Sequence, residues 1–428
     1  MSKSFRKTLI PLFAAALTFG QASATFAEDP VPQPVPQMND SYNIVALGDS
    51  LGTGYEPGMT LQSVPYGYVD RVYEQALFHG RSELDNYAIL GLSTTGLFNF
   101  LQAASENRSV TAMDLQAFPA TTQSEALKQA DDMAKKAPEL GKDLAHADLV
   151  VLTIGANDFT KLIEAAKDKD TTSARQIIQD KAAETMNKYT EDLDKTMNLL
   201  HKLAPDARIV MSDQYLPLMP SHELYPDLDN VGKTLSETVD AKAASLSAAG
   251  IPVQVAHVFE PFRGKSSSLT HFNLLEGFDI HPTQKGYETI AKAFSDVLWH
   301  EYRTPSPRPA DVVNTIIING KETQNKPIFK NNTNFLAITD LADAIDATWK
   351  WDPQTKSVTF TKNGHSVVIT IAAKTIVVDG VKKPLATPAY FQQVGKVTKT
   401  YVPLGVVSDS LNYQVVFRNK LKTAFINL

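Results

Sequence analysis

The chain has 428 residues, a formal net charge of −6, 43% hydrophobic and 21% charged residues, and no cysteine. This length exceeds what one hydrophobic core usually serves, so the sequence predicts two folded domains. The negative net charge argues against a nucleic-acid partner, and the lack of cysteine excludes disulfides, thiolate catalysis and cysteine-ligated zinc.

The amino-terminal segment is typical of a secretory signal. Lys3, Arg6 and Lys7 form a basic start. An apolar stretch over 9–19 and small residues suited to cleavage follow, which predicts a signal peptide over 1–27. The apolar stretch is short, so we expect no transmembrane segment after cleavage, with an uncleaved anchor as the alternative. The predicted location is secreted or cell-surface associated, and the lack of disulfides favours a bacterial secretory route.

Strand-like and helix-like segments alternate over 41–302, after a proline-rich stretch at 28–40 that predicts a semi-rigid spacer. The predicted strands are Ile44–Leu47, Asn86–Leu90, Leu149–Ile154, Ile209–Ser212 and Val253–Val258. The predicted helices are Tyr66–His79, Ser124–Leu144, Thr185–Leu203, Asn230–Ala249 and Thr283–His300. This alternation predicts a three-layer α/β domain with a parallel sheet, whose site lies beyond the carboxyl ends of the strands.

The chain changes character after a linker at 303–310 that contains three prolines. Residues 311–428 are rich in Val, Ile, Thr and Tyr, and one pattern occurs twice. The segment that starts at Phe335 matches the one that starts at Tyr401, 66 residues later. We therefore predict a smaller, duplicated α+β domain in which each unit has a hairpin, a short helix and two more strands.

Ser50 lies in a glycine-flanked turn, 48–52, directly after the first predicted strand. A serine becomes an effective nucleophile when a base takes its proton and hydrogen-bond donors hold the resulting oxyanion. The Gly-x-Ser-x-Gly pattern also fits the nucleophile elbow of α/β-hydrolases. Several strands precede the nucleophile in that fold, whereas only one precedes Ser50, so we reject that interpretation.

The segment Gly48-Asp49-Ser50-Leu51 at the first strand resembles the first block of the SGNH or GDSL hydrolase family. The other blocks follow in order over roughly 42–302, namely the segment that ends at Gly91, Gly155-Ala156-Asn157-Asp158, and His281-Pro282. The resemblance implies a flavodoxin-like fold with Ser50 as nucleophile and His281 as base. It also implies an oxyanion hole made by the N–H groups of Ser50 and Gly91 and the amide of Asn157.

Simpler roles are open for two of these residues. Gly91 could be an ordinary turn glycine, and Asn157 could cap a helix that starts near Phe159, a role that Asp158 could equally fill. We assign no chemistry to Asp158.

The acid that orients the base is where this sequence departs from the family. The family places an aspartate three residues before the histidine, a position held here by Phe278, whereas Asp279 stands two residues before His281. Asp279 is the predicted orienting acid, because an acid must hold the imidazole in one tautomer. Glu276, a backbone carbonyl or a Ser–His dyad are the alternatives.

Residues 311–428 resemble the copper amine oxidase N-terminal-like module, which is appended to secreted bacterial proteins. The matching features are an Asn-Gly near the start and the aromatic-Val-Pro-Leu of the second copy, Tyr401–Leu404. The name implies no metal here, since His365 is the module's only histidine and cysteine is absent. We expect an interaction module that contacts a cell-wall or surface polymer, with the basic tail at 418–422 either contributing or being a solvated hairpin.

The predicted function is a secreted serine esterase or lipase that needs no cofactor or metal and hydrolyses a small-molecule or lipid ester through an acyl-enzyme on Ser50. Apolar residues near the strand ends favour an acyl chain, namely Met59, Phe98, Phe100, Phe159, Leu216 and Met219. Two alternatives are a polysaccharide O-acetyl esterase acting on cell-wall or extracellular glycan, and a cell-surface binding protein with a weak hydrolase domain.

Overall fold

The computed structural model describes residues 41–60, 62–119, 122–167, 169–273, 277–323 and 326–428. These residues all belong to one compact unit. The predicted signal peptide and spacer, together with Glu276, lie outside the described residues.

A five-stranded parallel sheet forms the centre of the first half, in the order β2-β1-β3-β4-β5. Its strands are β1 (Tyr42–Gly48), β2 (Ser82–Asn86), β3 (Leu149–Thr153), β4 (Arg208–Ser212) and β5 (Val253–Ala256), and a hairpin of β6 (Thr270–Asn273) and β7 (Gly277–Pro282) follows. The short apolar strands are buried on both faces, as parallel strands covered by helices require. This confirms the predicted α/β class.

Helices cover both faces of this sheet. They are α1 (Ser50–Thr53), α2 (Tyr68–His79), α3 (Thr94–Ser105), α4 (Ala112–Leu115), α5 (Ser124–Ala134), α6 (Ala137–Leu144), α7 (Thr160–Lys167), α8 (Thr171–Leu203), α9 (Tyr225–Ala248), α10 (Phe259–Phe262), α11 (Ser266–Leu269) and α12 (Gln284–Trp299). Val45 and Leu47 pack in one core with α3, α6, α8 and α9. Ile44 and Ala46 pack in another with α2 and α12, because successive side chains of a strand point to opposite faces.

The prediction of a strand over Asn86–Leu90 was wrong in its bounds, because β2 is Ser82–Asn86. β2 is an edge strand, so one side of it meets solvent and its polar sequence is tolerated there. The backbone N–H groups of Tyr87 and Ile89 still donate to carbonyls of β1, at 2.8 and 2.9 Å. The helix predicted over Ser124–Leu144 is likewise two helices, α5 and α6, with a proline in the first turn of α6.

The second half is mostly β, with two short helices. Its strands are β8 (Thr315–Ile318), β9 (Lys321–Glu322), β10 (Ile328–Lys330), β11 (Thr333–Ala337), β12 (Thr348–Asp352), β13 (Ser357–Lys362), β14 (His365–Thr370), β15 (Thr375–Val378), β16 (Val381–Pro384), β17 (Tyr390–Val394), β18 (Val397–Pro403), β19 (Gln414–Arg418) and β20 (Thr423–Asn427). The helices α13 (Ile338–Ala344) and α14 (Leu404–Ser410) begin 66 residues apart, the offset of the sequence repeat.

The two repeats exchange strands. The sheet β19-β20-β8-β9 combines the end of the second repeat with the start of the first, and β12-β13-β14-β15-β16 combines the end of the first with the start of the second. The hairpins β10-β11 and β17-β18 pair with each other through β11 and β18. Since each repeat completes the sheets of the other, the second half is one folding unit and not two.

None of the helices formed by the described residues combines the length and apolar character needed to cross a membrane.

Candidate active site

Ser50 begins α1, one residue beyond the turn that ends β1. Gly48 adopts φ = +124°, and a Cβ atom there would lie 2.1 Å from the carbonyl oxygen of Thr153 on the neighbouring strand, so only glycine fits. Asp49 caps α1 with a side-chain oxygen, Oδ1, that accepts from the N–H of Leu51 at 3.0 Å and from the hydroxyl of Thr153 at 3.2 Å. These contacts fix the turn that presents Ser50.

Two of the groups predicted to hold the oxyanion are the backbone N–H of Gly91 and the side-chain amide of Asn157. They lie on adjoining loops that are hydrogen-bonded to each other. The Asn157 amide, in the 3-10 turn Ala156–Phe159, donates through Nδ2 to the carbonyl of Leu92 at 2.9 Å. Asn157 is therefore tied to the Gly91 loop. Asp158 instead accepts from the backbone N–H of Thr94 at 3.0 Å, at the start of α3.

Gln116 also holds the Gly91 loop, and sequence reasoning missed it. Its amide nitrogen donates to the Gly91 carbonyl at 2.9 Å, while its oxygen accepts from the N–H and the hydroxyl of Ser93 at 2.8 and 2.7 Å. Three hydrogen bonds from one side chain thus set the backbone of the loop. No sequence motif marks Gln116, because it reaches the loop only through the tertiary fold.

His281 and Asp279 are in direct contact. The imidazole Nδ1 lies 2.8 Å from Asp279 Oδ1, and the same oxygen accepts from the backbone N–H of His281 at 2.8 Å. Partial burial would raise the pKa of Asp279, but these hydrogen bonds outweigh it and lower the pKa below its usual value. An Nδ1–H bonded to a carboxylate leaves Nε2 as the basic nitrogen.

The spacing of two residues between these side chains follows from the backbone of the β6–β7 hairpin. Phe272 pairs with Phe278, and Thr270 pairs with Pro282. Between these two pairs lie the three residues 279–281 on β7 but only His271 on β6, so β7 is bulged there. Within this bulge, Asp279 Oδ1 accepts from the backbone N–H two residues on, as in an Asx-turn, which keeps its carboxylate beside the His281 imidazole. Bulges next to active sites often redirect side chains in this manner.

Two tyrosines that the sequence analysis did not single out support this bulge. The Tyr215 hydroxyl donates to the carbonyl of Ile280 at 2.8 Å. The Tyr55 ring packs edge-on against the His281 imidazole with a centroid distance of 4.6 Å, and the Tyr55 carbonyl accepts from the Tyr287 hydroxyl at 2.6 Å. The imidazole is therefore held from its carboxylate side and from its ring face.

A cavity of about 310 Å³ brings the predicted site residues together. The five residues proposed from the sequence all line it, namely Ser50, Gly91, Asn157, Asp279 and His281. Such a set of hydroxyl, imidazole, carboxylate and amide groups in one concave site suits acyl transfer, in which a nucleophile, a base and an oxyanion hole must surround one carbonyl.

The apolar residues expected to contact an acyl chain lie elsewhere, with one exception. Met59 lines a second cavity of about 470 Å³ that adjoins the first. Phe100 is fully buried in the core, and neither it nor Phe98, Phe159, Leu216 and Met219 is among the described residues that line the two cavities. Phe100 and Phe159 belong to the hydrophobic core that α3 helps to form, a role that the sequence pattern cannot separate from substrate contact.

Two family models match the chain. Residues 46–289 match the GDSL-like Lipase/Acylhydrolase family, and residues 317–426 match the copper amine oxidase N-terminal domain. Both resemblances drawn from the sequence are thereby confirmed. No curated protein sequence matches the chain significantly.

Solved structures similar to this chain include an extracellular lipase from Streptomyces rimosus, at 18% identity, covering 60% of this chain and 98% of that chain with a TM-score of 0.39. A phospholipase A1 from Streptomyces albidoflavus shows 16% identity, the same coverage and a TM-score of 0.40. A carbohydrate esterase family 3 protein from Talaromyces cellulolyticus shows 12% identity, covering 60% and 97%, with a TM-score of 0.34. The family assignment rests on the sequence match and not on these structures.

Proposed function

The chain belongs to the GDSL-like lipase/acylhydrolase family and is a carboxylic ester hydrolase, and we propose that it is a secreted serine esterase that works through an acyl-enzyme on Ser50. The observation that carries this proposal is the contact between His281 and Asp279 in the cavity that Ser50 also lines. A nucleophile, a base and the acid that orients the base thus share one site.

In the proposed reaction, His281 Nε2 takes the proton of the Ser50 hydroxyl as its oxygen attacks the ester carbonyl. The negative oxygen that forms is held by the N–H groups of Ser50 and Gly91 and by the Asn157 amide. The imidazolium then gives its proton to the leaving alcohol. Water, deprotonated by the same nitrogen, releases the acid and restores Ser50.

The direct test is the Ser50→Ala variant on a soluble nitrophenyl ester. We expect kcat to fall by more than about 1,000-fold, since the covalent step needs the hydroxyl. Ser105→Ala, at an exposed position at the end of α3, is the matched control and retains the wild-type rate. An unchanged rate in Ser50→Ala would refute the proposal, and inactivity of the wild type on every ester tried would favour a binding protein with an idle hydrolase domain.

Asp279→Asn distinguishes a triad from a Ser–His dyad. The amide cannot accept the Nδ1–H in the same way and favours the wrong imidazole tautomer, so we expect kcat to fall by roughly 10⁴-fold. Asp296→Asn, on the exposed face of α12, serves as the control. If Asp279→Asn is fully active while His281→Ala is not, the site works as a dyad.

The second cavity favours the glycan-esterase alternative over a simple lipase. It shares Tyr55, Leu90, Gln123 and Ala126 with the catalytic cavity. Hydroxyl and amide side chains dominate the rest of its lining, among them Thr53, Thr60, Gln62, Ser63 and Gln129.

A comparison of two products separates the candidates. Release of acetate from an acetylated polysaccharide at a higher kcat/KM than release of fatty acid from phospholipid would favour the glycan O-acetyl esterase. The opposite order would favour a lipase.

Secretion and surface attachment complete the proposal. The basic and apolar amino-terminal segment supports export, and the copper amine oxidase N-terminal domain supports contact with a surface polymer. Expression of the full chain in a bacterial host should yield extracytoplasmic protein that starts near residue 28. An uncleaved or cytoplasmic product would contradict the signal assignment.

A further inference from the structure

One of the contacts between the second half of the chain and the first is made by a partly buried arginine, Arg418 at the end of β19. Its Nη2 lies 3.0 Å from Asp70 Oδ1, and its Nε lies 3.0 Å from Glu74 Oε1, both on α2. The arginine side chain is 19% exposed, and Glu74 is 2% exposed. Arg418 therefore pairs with carboxylates of the hydrolase domain, and it is not part of a solvated basic tail.

The Glu74 carboxylate also contacts Tyr66, which leads towards the active site. Its second oxygen, Oε2, accepts from the Tyr66 hydroxyl at 2.8 Å. The guanidinium of Arg71 lies over the Tyr66 ring at 4.0 Å and donates to the Tyr66 carbonyl at 2.9 Å. Arg71 is only 6% exposed, so its guanidinium has lost most of its contact with water and needs these hydrogen-bond and ring partners.

Arg71 in turn holds Gln284, which lies three residues after His281. Its Nη2 donates to Gln284 Oε1 at 2.9 Å, and Gln284 is the first residue of α12. Gln284 Nε2 then donates to Glu56 Oε2 at 2.5 Å. Glu56 directly follows Tyr55, whose ring packs on the His281 imidazole.

We propose that Arg418 is a positioning residue for the base His281, acting through Glu74, Tyr66, Arg71 and Gln284. The proposal rests on the proposed role of His281. These side chains form one continuous chain of ion-pair, hydrogen-bond and ring contacts from the carboxyl-terminal domain to both segments that flank the imidazole. The carboxyl-terminal domain is then part of the working enzyme as well as an attachment module.

Lys420 of the second half also reaches this chain of bonds, with its Nζ 5.8 Å from the centroid of the Tyr66 ring. Two other contacts between the halves lie outside it. Arg81 donates to the carbonyl of Asn412 at 3.1 Å, and Asn427 donates to the carbonyls of Leu77 and Gly80 at 2.9 Å each. They hold the domains together at the carboxyl end of α2 and in the turn between α2 and β2. Arg81 is thus a matched control, since it is also an arginine that bridges the two halves.

The test compares Arg418→Gln with Arg81→Gln in the full chain on a soluble nitrophenyl ester. Arg418→Gln removes the cation that pairs with Glu74, and we expect kcat to fall by about 10-fold or more, because small displacements of a catalytic group are costly. We expect KM to stay within about twofold, since no residue lining the cavity is changed. Arg418→Lys keeps the charge and should recover part of the loss, whereas Arg81→Gln should retain the wild-type kcat.

Hydrogen exchange gives a readout that does not depend on activity. In Arg418→Gln, the amides of 279–287 should exchange faster than in the wild type and in Arg81→Gln. Unchanged exchange in this segment, a wild-type kcat in Arg418→Gln, or an equal loss of kcat in Arg81→Gln would each overturn the proposal. Failure of the proposed esterase function would be recognised separately, because the Ser50→Ala variant would then be as active as the wild type.

Discussion

At the residue scale, Asp49 shows how burial sets the charge of the carboxyl next to the proposed nucleophile, Ser50. Asp49 is 1% exposed, and one of its carboxyl oxygens, Oδ2, has no hydrogen-bond partner. Burial raises the pKa of Asp49 to about 7, although hydrogen bonds from Leu51 and Thr153 oppose the shift. Below that pH the carboxyl is neutral, so it does not repel the negative oxygen that forms in the proposed attack by Ser50.

This raised pKa predicts that the free energy of unfolding depends on pH, and that Asp49→Asn removes the part of this dependence that comes from Asp49. An unfolded aspartate has a pKa of about 3.9, so between about pH 4 and pH 7 the folded state keeps a proton that the unfolded state has lost. The free energy of unfolding of the wild type therefore falls as the pH rises through this window. Asn keeps the accepting oxygen for Leu51 and Thr153 and cannot ionise.

We expect Asp49→Asn to be more stable than the wild type at pH 8, by up to about 4 kcal/mol, with the difference shrinking towards pH 4. Urea unfolding at both pH values measures it, with the exposed Asp296→Asn as control. A difference between Asp49→Asn and wild type that is constant with pH would show that Asp49 is ionised in the folded protein.

At the element scale, loops and a strand bulge carry the proposed catalytic residues, and the sheet supplies their anchor points. β1 and β3 place the turns of Ser50 and Asn157 at one edge, as parallel strands do with residues at their carboxyl ends. The proposed base comes from elsewhere, the bulged strand β7, where the Asp279 carboxylate accepts from the backbone N–H of His281 and lies beside its imidazole. The departure from the family spacing is therefore compatible with contact between acid and base.

Gln116→Leu tests the support of the Gly91 loop. Leucine keeps much of the volume but loses the bonds to Gly91 and Ser93, so the Gly91 N–H shifts and kcat should fall by about 10- to 100-fold, less than the loss of a whole oxyanion donor. KM for a small ester should change little. Gln102→Leu, at an exposed site on α3, is the control, and equal kcat values for the two variants would refute this role for Gln116.

At the scale of the whole molecule, an apolar cluster joins the two halves of the chain. Leu77 and Phe78 of α2 pack with Ile317 of β8 and Phe425 of β20, and all four are at most 4% exposed. The Phe78 and Phe425 rings meet edge to face at a centroid distance of 5.0 Å. Neither half buries these side chains alone, so we expect the two halves to unfold together.

Phe425→Ala should therefore destabilise the whole chain. Removing a fully buried phenylalanine costs about 3–5 kcal/mol, and calorimetry should show one transition at a lower temperature in the variant. Val397→Ala, at a side chain that is 61% exposed on a hairpin, should leave the transition unchanged. Two transitions, only one of them shifted by Phe425→Ala, would show that the halves unfold independently.

Much of the architecture could be predicted from the sequence because it is encoded locally. The Val/Ile/Leu runs of β1, β3 and β4, the 66-residue repeat and the Gly-Asp-Ser turn each occupy a short stretch of chain with its own periodicity or motif. The polar edge strand β2 was misplaced because an edge needs less apolar surface than a central strand.

The fold class, the family and the candidate residues for nucleophile, base and oxyanion donors could all be inferred from the amino-acid sequence alone. Three contacts became visible only in the folded chain: Asp279 with His281, Gln116 with the Gly91 loop, and Arg418 with Glu74. These contacts depend on a bulge or on residues far apart in the chain. Neither leaves a periodic signal in a single sequence, because such contacts arise from the packing of completed elements.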